Sequence, residues 1–394
     1  MAKLTVKDID VRGKKVIVRV DFNVPLDKSL NITDDRRIKE ALPTIQYLLK
    51  NGAAKVILMS HLGRPDAKVV DSLRLRPVGQ KLEELLSQKA LILDDCIGEA
   101  VKSAIAASKE RLVLLENLRF HKEEEKNDGA FAKELASLAD IYVNDAFGTA
   151  HRAHASTAGI TKYLPAVSGF LLEKEIRYLG DAVSHPQKPF VVILGGAKVS
   201  DKILMIENLL PKADAIIIGG GMAYTFLKAQ GFNIGNSKLE ADKVDFAKKL
   251  LDTAKAKGVV MALPVDHVVV QNIETTQGLN TVKEIPDGYW AVDIGPETRK
   301  NFAKILTAAK TIIWNGPLGI FEKDAYAQGT KDIADCIAGL KGVTSVIGGG
   351  DTAAAMSKFK VEDKMTHIST GGGASLEYLE GKELPGIAAL NDKK

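Results

Sequence analysis

The residues best suited to chemistry in this chain are cations set beside amides, hydroxyl-binding groups and bare backbone. In the N-terminal half, four polar segments follow apolar runs. They are Asp21-Phe22-Asn23-Val24-Pro25, Ser60-His61-Leu62-Gly63-Arg64-Pro65, Glu116-Asn117-Leu118-Arg119-Phe120, and residues 144–154 with Thr149, His151, Arg152 and His154. Together with Arg36 they offer guanidinium forks, which grip carboxylate and phosphate oxygens in pairs. Asp21 and Asn23 can hold hydroxyls. In the C-terminal half, four apolar runs end in paired or tripled glycines: Gly195-Gly196, Gly219-Gly220-Gly221, Gly348-Gly349-Gly350 and Gly371-Gly372-Gly373. Glycine lets backbone approach an anion closely, and a following helix points its unpaired N–H groups at the same spot. One such turn is weak evidence, but four in half a chain exceed what tight turning requires. Ten of the twelve arginines precede residue 170, whereas lysine carries the positive charge afterwards. The pattern points to two different anions held by two domains. Arg12, Arg37, Arg74, Arg76 and Arg111 read as solvated surface, and His121, His185, His267 and His367 as structural. His61, His151 and His154 gain weight from their arginine neighbours.

Elements able to position these groups alternate along the sequence. Strand-like runs over 15–20, 55–60, 112–115 and 141–144 are interleaved with helical spacing over 36–51, 76–87 and 131–138. A helix over 171–183 follows, then a polar, proline-bearing stretch at 184–189, and a second series from 190 to about 377. Runs apolar on both faces suit parallel sheets covered by helices, whose strand-to-helix turns share one carboxyl edge. The run Glu123-Glu124-Glu125-Lys126 reads as a solvated helix start.

A length of 394 residues exceeds what a single core supports, so two domains are expected. A composition of 45% hydrophobic and 26% charged residues is that of a soluble globular protein, and a net charge of +4 gives no footing for nucleic acid or a membrane surface. Cys96 and Cys336 lack disulfide or zinc-site spacing and read as inert thiols of a reducing cytoplasm. The polar N-terminus does not resemble a signal peptide.

Taken in order, several motifs resemble the phosphoglycerate kinase family over essentially the whole chain. They are Arg19-Val20-Asp21-Phe22-Asn23-Val24-Pro25-Leu26, His61-Leu62-Gly63-Arg64-Pro65, Asn117-Leu118-Arg119-Phe120, Asn144-Asp145-Ala146-Phe147-Gly148 through His154-Ala155-Ser156-Thr157, Gly195-Gly196-Ala197-Lys198-Val199-Ser200-Asp201-Lys202, Trp314-Asn315-Gly316-Pro317-Leu318-Gly319-Ile320-Phe321-Glu322, Gly348-Gly349-Gly350-Asp351-Thr352 and Ser369-Thr370-Gly371-Gly372-Gly373-Ala374-Ser375.

The resemblance implies an α/β fold of two Rossmann-like domains, each a parallel sheet covered by helices, joined by a hinge helix. Residues 1–169 with a returning tail at 378–394 would bind phosphoglycerate, 170–185 would link, and 186–377 would bind nucleotide. The implied reaction is reversible phosphoryl transfer from 1,3-bisphosphoglycerate to ADP, giving 3-phosphoglycerate and ATP, with Mg2+, in a cytoplasmic monomer. Transfer would be direct and in line, after hinge closure.

By the same resemblance, Asp21, Asn23, His61, Leu62, Gly63, Arg64, Arg119, His151 and Arg152 would bind the glycerate substrate. Arg36 would face its reacting carboxyl. Arg36, Lys198, Gly372 and Gly373 would be catalytic. Lys198 and Lys202 would rise from one helical face after Gly195-Gly196. The nucleotide would be held by Gly196, Ala197, Lys198, Lys202, Gly220, Gly295, Asn315, Pro317, Gly319, Glu322, Gly349, Gly350, Asp351 and Thr352, with Asp351 carrying the metal or serving as a helix N-cap.

A nicotinamide-dependent dehydrogenase fails on spacing, because no G-x-G-x-x-G with an acidic residue about 20 positions on follows a strand. A non-catalytic phosphate or nucleotide sensor would need the cages, but not a cation from each domain.

Overall fold

The computed structural model describes residues 2–393. These divide into a unit of Met1–Arg177 with Glu383–Lys394, and a unit of Tyr178–Lys382.

The first unit is built on strands β1 (Lys15–Val20), β2 (Lys55–Met59), β3 (Ala90–Ile92), β4 (Leu112–Leu114), β5 (Ile141–Asp145) and β6 (Ala166–Ser168), in the order β3-β4-β2-β1-β5-β6. All pairings are parallel, with Val16 beside Val56 on one side and Ile141 on the other. The central strands are buried on both faces, as continuous apolar runs require. The helix Arg36–Lys50 lays Ile38, Ala41, Ile45 and Leu48 on the sheet at three- and four-residue spacing. Its inward face therefore begins at Ile38. Consecutive helical residues point about 100° apart, so Arg36 and Arg37 at its start leave the helix in different directions.

β3, the helix Glu99–Ala107 and β6 were not anticipated; the two strands are three residues each, too short to show a period. The acidic run at 123–126 is no solvated helix start. Only Lys122–Glu125 is helical, and Glu124 is fully buried, its carboxylate taking Ser156 N–H at 2.9 Å and Ser156 Oγ–H at 2.5 Å. At the chain ends, Leu4 N–H donates to Asn391 O at 2.9 Å and Lys3 pairs with Asp392 at 2.8 Å.

In the second unit, β7 (Phe190–Leu194), β8 (Ala215–Ile218), β9 (Val260–Ala262), β13 (Thr311–Asn315), β14 (Thr344–Gly348) and β15 (His367–Ile368) form a parallel sheet in the order β15-β14-β13-β7-β8-β9. The molecule is thus an α/β protein with two six-stranded parallel sheets. The four glycine turns follow β15, β14, β7 and β8, so they share one carboxyl edge. The second unit also departs from a uniform βα series. β10 (His267–Val270), β11 (Asn280–Val282) and β12 (Trp290–Ile294) make a separate antiparallel sheet with its own small cores around Val269 and Val270.

Candidate active site

Each unit carries an anion-competent site at the carboxyl edge of its sheet. In the first, the turn after β1 is fixed by Phe22 N–H donating to Ser60 Oγ at 2.9 Å, and Asn23 Oδ1 accepts Gly63 N–H at 2.9 Å. Arg119 is almost wholly buried. It donates to Gly63 O at 2.8 Å and pairs with Glu125 at 3.1 Å, while its own N–H bonds Asn117 Oδ1. Arg152 Nε donates to His151 Nε2 at 3.2 Å.

Charge effects show which groups converge. Burial pushes His61 well below its ordinary value, and Arg19, Arg119, Arg37 and His154 add to this. His154 falls to about 4 through burial and then Arg19, Arg119, Arg152 and His151. Burial also lowers Arg119, against Glu125, with Arg152 and Arg19 contributing. His61, Arg119, His151 and Arg152 are therefore gathered into one electropositive cage. Arg64 is exposed beside Gly63.

Two members of the cage were missed or misread. Arg19 interrupts an otherwise apolar strand, and that interruption was the available signal. It is buried, donating through Nε to Ser156 Oγ at 2.8 Å, with Nη2 3.1 Å from His61 Nδ1. Arg37, read as surface, donates from Nη1 to Asp21 Oδ2 at 2.6 Å. Arg36 instead lies 54% exposed, its fork on Asp34 at 2.8 Å, holding that carboxyl below its usual range. Arg37 thus faces the cage through Asp21, and both guanidiniums act on Asp34.

In the second unit, a pocket of about 340 Å³ is lined by Gly196, Ala197, Gly220, Pro317, Gly319, Glu322 and Asp351. The turns after β7, β8 and β13 close on one another through backbone. Gly196 N–H donates to Pro317 O at 3.0 Å and Gly220 N–H to Leu318 O at 3.0 Å. A Cβ on Gly195 would lie 2.1 Å from Pro317 O, so no larger residue fits there. Gly196 and Gly220 thus shape the wall, with their N–H groups already spent.

Lys202 is half-buried. Its Nζ donates to Asn315 Oδ1 at 2.5 Å, and burial lowers its pKa against the pull of Asp201, Glu380 and Asp351. Asn315 Nδ2 is buried without a hydrogen-bond partner among the described residues, and it lies 3.0 Å from where a Gly349 Cβ would stand. That unsatisfied donor at the glycine turn suits an anion.

Lys198 is exposed in a loop and not on a helix, because the chain forms only a 3-10 turn at Ser200–Lys202 before the helix Ile203–Leu209. The shared helical face for Lys198 and Lys202 does not exist. Gly349 is the N-cap of the helix Gly350–Lys358, which puts Asp351 at its second helical position instead of the cap. Gly372 caps the helix Gly373–Leu379 with a φ of 49°. Thr352 is buried behind the turn, its hydroxyl accepting Gly316 N–H at 2.7 Å. Gly295 is the N-cap of the helix Pro296–Thr307, packed where its Cβ would strike Asp266. The apolar wall of Ile273, Trp290, Val292, Leu318 and Ile320, with Tyr224 and Lys238, was not foreseen. Much of it comes from the antiparallel sheet.

A family model described as phosphoglycerate kinase matches residues 6–382. The chain is 57% identical over 396 residues to a phosphoglycerate kinase of Moorella thermoacetica, and 56% identical over 398 residues to one of Synechococcus elongatus; the matches cover all of this chain and 100% and 98% of those proteins. Its structure is similar to that of phosphoglycerate kinase from Coxiella burnetii, with a TM-score of 0.91 and 41% identity over 98% of each chain.

Proposed function

The chain belongs to the phosphoglycerate kinase family and reversibly transfers a phosphoryl group between 1,3-bisphosphoglycerate and ADP, giving 3-phosphoglycerate and ATP, and we propose that the first unit's arginine cage holds the glycerate substrate and the second unit's pocket the nucleotide. The observation that carries this reading is the crowding of Arg19, Arg37, Arg119 and Arg152 around His61 and His154. So many mutually repelling, partly buried cations want an anion of high charge density.

Asp21 and Asn23 take the glycerate hydroxyl, and Arg119, Arg152, Arg64 and the imidazoles take the phosphate that stays. Arg36 faces the reacting carboxyl, and Arg37, anchored by Asp21, adds a second guanidinium to the cage. A carboxylate nucleophile is ionised at neutral pH, so no base is needed, and catalysis rests on positioning and charge. Lys198, unconstrained by a helix, is the cation available to the transferring phosphoryl group. Lys202 and Asn315 bind nucleotide phosphates, Glu322 the ribose, and the apolar wall the base. Glycines 372 and 373 leave room beside the transferring group.

Mg2+ fits this donor set: Asp351 is an exposed carboxylate lining the pocket, and one carboxylate plus phosphate oxygens is its usual complement. When bound, it neutralises charge on the nucleotide phosphates. Direct in-line transfer needs reacting atoms about 3 to 3.5 Å apart, which calls for hinge closure about the linking helix and exclusion of water. The reading extends to a cytoplasmic monomer, since one chain supplies both ligand sets; no helix among the described residues is long and apolar enough to cross a membrane.

Titration calorimetry with 3-phosphoglycerate and with MgATP on Arg119→Ala and Lys202→Ala tests the division of labour. Each variant is expected to lose affinity for one ligand only, Arg119→Ala for 3-phosphoglycerate and Lys202→Ala for MgATP. Crossed losses would overturn the assignment.

A further inference from the structure

Apart from both ligand sites, the fold of the first unit brings the adjacent pair Asp95 and Cys96 together with a third metal-ligating side chain, His121, 25 residues beyond Cys96. Asp95 and Cys96 follow β3, and His121 follows the 3-10 turn Leu118–Phe120. One ligand atom from each lies within 4.8 Å of the others. Asp95 Oδ1 is 2.7 Å from His121 Nε2 and also accepts Cys96 N–H at 2.7 Å, which fixes the carboxylate between them. The thiol is buried on the inner side, while His121 and Asp95 are 27% and 53% exposed and give access from solvent. A thiolate, an imidazole and a carboxylate make a donor set for a borderline cation, unlike the all-oxygen sets of Mg2+ or Ca2+.

We propose that Asp95, Cys96 and His121 bind a divalent cation of the zinc type, with water as the fourth ligand, at a site distinct from the phosphoryl-transfer machinery. Tetrahedral ligation with ordinary bond lengths sets donor atoms roughly 3.3 to 3.7 Å apart. The two solvent-accessible side chains must therefore draw in toward the sulfur by up to about an ångström. Asp95 Oδ1 and His121 Nε2, now 2.7 Å apart, separate by roughly half an ångström and give up their hydrogen bond, within reach of small χ rotations. Binding forms a metal–sulfur bond with release of the thiol proton to solvent, and a metal–nitrogen bond for which the hydrogen that Nε2 shares with Asp95 moves to Nδ1 of His121.

Cobalt is the probe. Added at one equivalent to the metal-stripped full-length protein, Co2+ is expected to give a sulfur-to-cobalt charge-transfer band in the near ultraviolet, which Zn2+ then abolishes at one equivalent. The only other cysteine is Cys336, so the sulfur is identified by retention of the band in Cys336→Ser and its loss in Cys96→Ser. His121→Ala, a partly exposed position that spares the core, is expected to weaken Co2+ binding more than about tenfold. Absence of the band in the wild type, its persistence in Cys96→Ser, or unchanged affinity in His121→Ala would each overturn the proposal.

Discussion

Nη2 of Arg19 lies 3.1 Å from Nδ1 of His61, both side chains being buried. A guanidinium has five donors, no acceptor, and keeps its proton in proteins. Nδ1 of His61 must therefore accept, which leaves the imidazole neutral with its hydrogen on Nε2. Burial and the surrounding arginines favour the same form. His61 acts in the cage as a directed N–H donor, and the arginines carry the charge.

This fixes the behaviour of His61 variants. Nitrogen NMR is expected to show His61 as the neutral Nε2–H tautomer from pH 6 to 8. Losing one hydrogen bond to a charged ligand costs about 1.5 to 3 kcal/mol, so His61→Leu raises the KM for 3-phosphoglycerate by roughly 10- to 100-fold. His61→Gln, which keeps a donor, recovers part of that loss. A protonated imidazole at pH 7 would refute the assignment.

Lys198 and Lys202 are expected to separate in kinetics because they separate in structure. Lys198, exposed and assigned to charge that develops during transfer, should lower kcat when changed to Ala. The cost is about 3 to 4 kcal/mol, as at comparable preorganised sites, with KM for either substrate little altered. Lys202, bonded to Asn315 in the ground state, should chiefly raise KM for ATP. Steady-state kinetics of both variants decides it, and matching profiles would remove the distinction.

Much of this was readable in the sequence. Continuous apolar runs gave the central strands and therefore which loops meet at the carboxyl edges, and the glycine turns marked the edge proposed for the nucleotide. What failed depended on the local course of the backbone or on partners distant in sequence. The helix was expected from 36 and begins there, but its start does not tell that Arg37, read as surface, finds Asp21 as its partner. Lys198 was placed on a helix because strand, glycines and helix usually follow directly, whereas here a loop intervenes. Glu124 looked like one charge in a solvated run, since nothing local announces Ser156 as its partner. Trp290 and Val292 of the pocket's apolar wall come from β12 of an antiparallel sheet, which the expectation of one continuing βα series did not include.

Asp145 gives a prediction about stability and pH. Its Oδ1 accepts Leu171 N–H at 2.9 Å and Leu172 N–H at 3.2 Å, at the start of the helix Phe170–Ser184. Oδ2 is buried without a hydrogen-bond partner among the described residues. Burial, despite the Thr44 hydroxyl and those two amides, pushes the carboxyl up to about 7, with Glu40 adding to the rise. A folded pKa above the unfolded one stabilises the fold at low pH, and that contribution is lost as pH rises from about 4 through 7. At 1.36 kcal/mol per unit the loss is no more than about 4 kcal/mol. Asp145→Asn does not titrate, so urea denaturation should find its stability relative to wild type higher at pH 8 than at pH 5. An identical difference at both pH values would show that Asp145 does not titrate in this window.

The most direct test of the site lies in the adjacent pair Arg36 and Arg37. Arg37 reaches Asp21 at 2.6 Å within the cage, while Arg36 pairs with Asp34 at the surface. The turnover of Arg36→Ala and Arg37→Ala should be measured side by side under saturating 3-phosphoglycerate and MgATP. Arg36→Ala is expected to lose kcat by roughly 100-fold or more, the usual cost of removing a preorganised contact to transition-state charge. Arg37→Ala, whose guanidinium is already tied to Asp21 in the ground state, is expected to lose far less turnover and chiefly to raise KM for 3-phosphoglycerate. The reverse order, or equal losses, would contradict the site as built here.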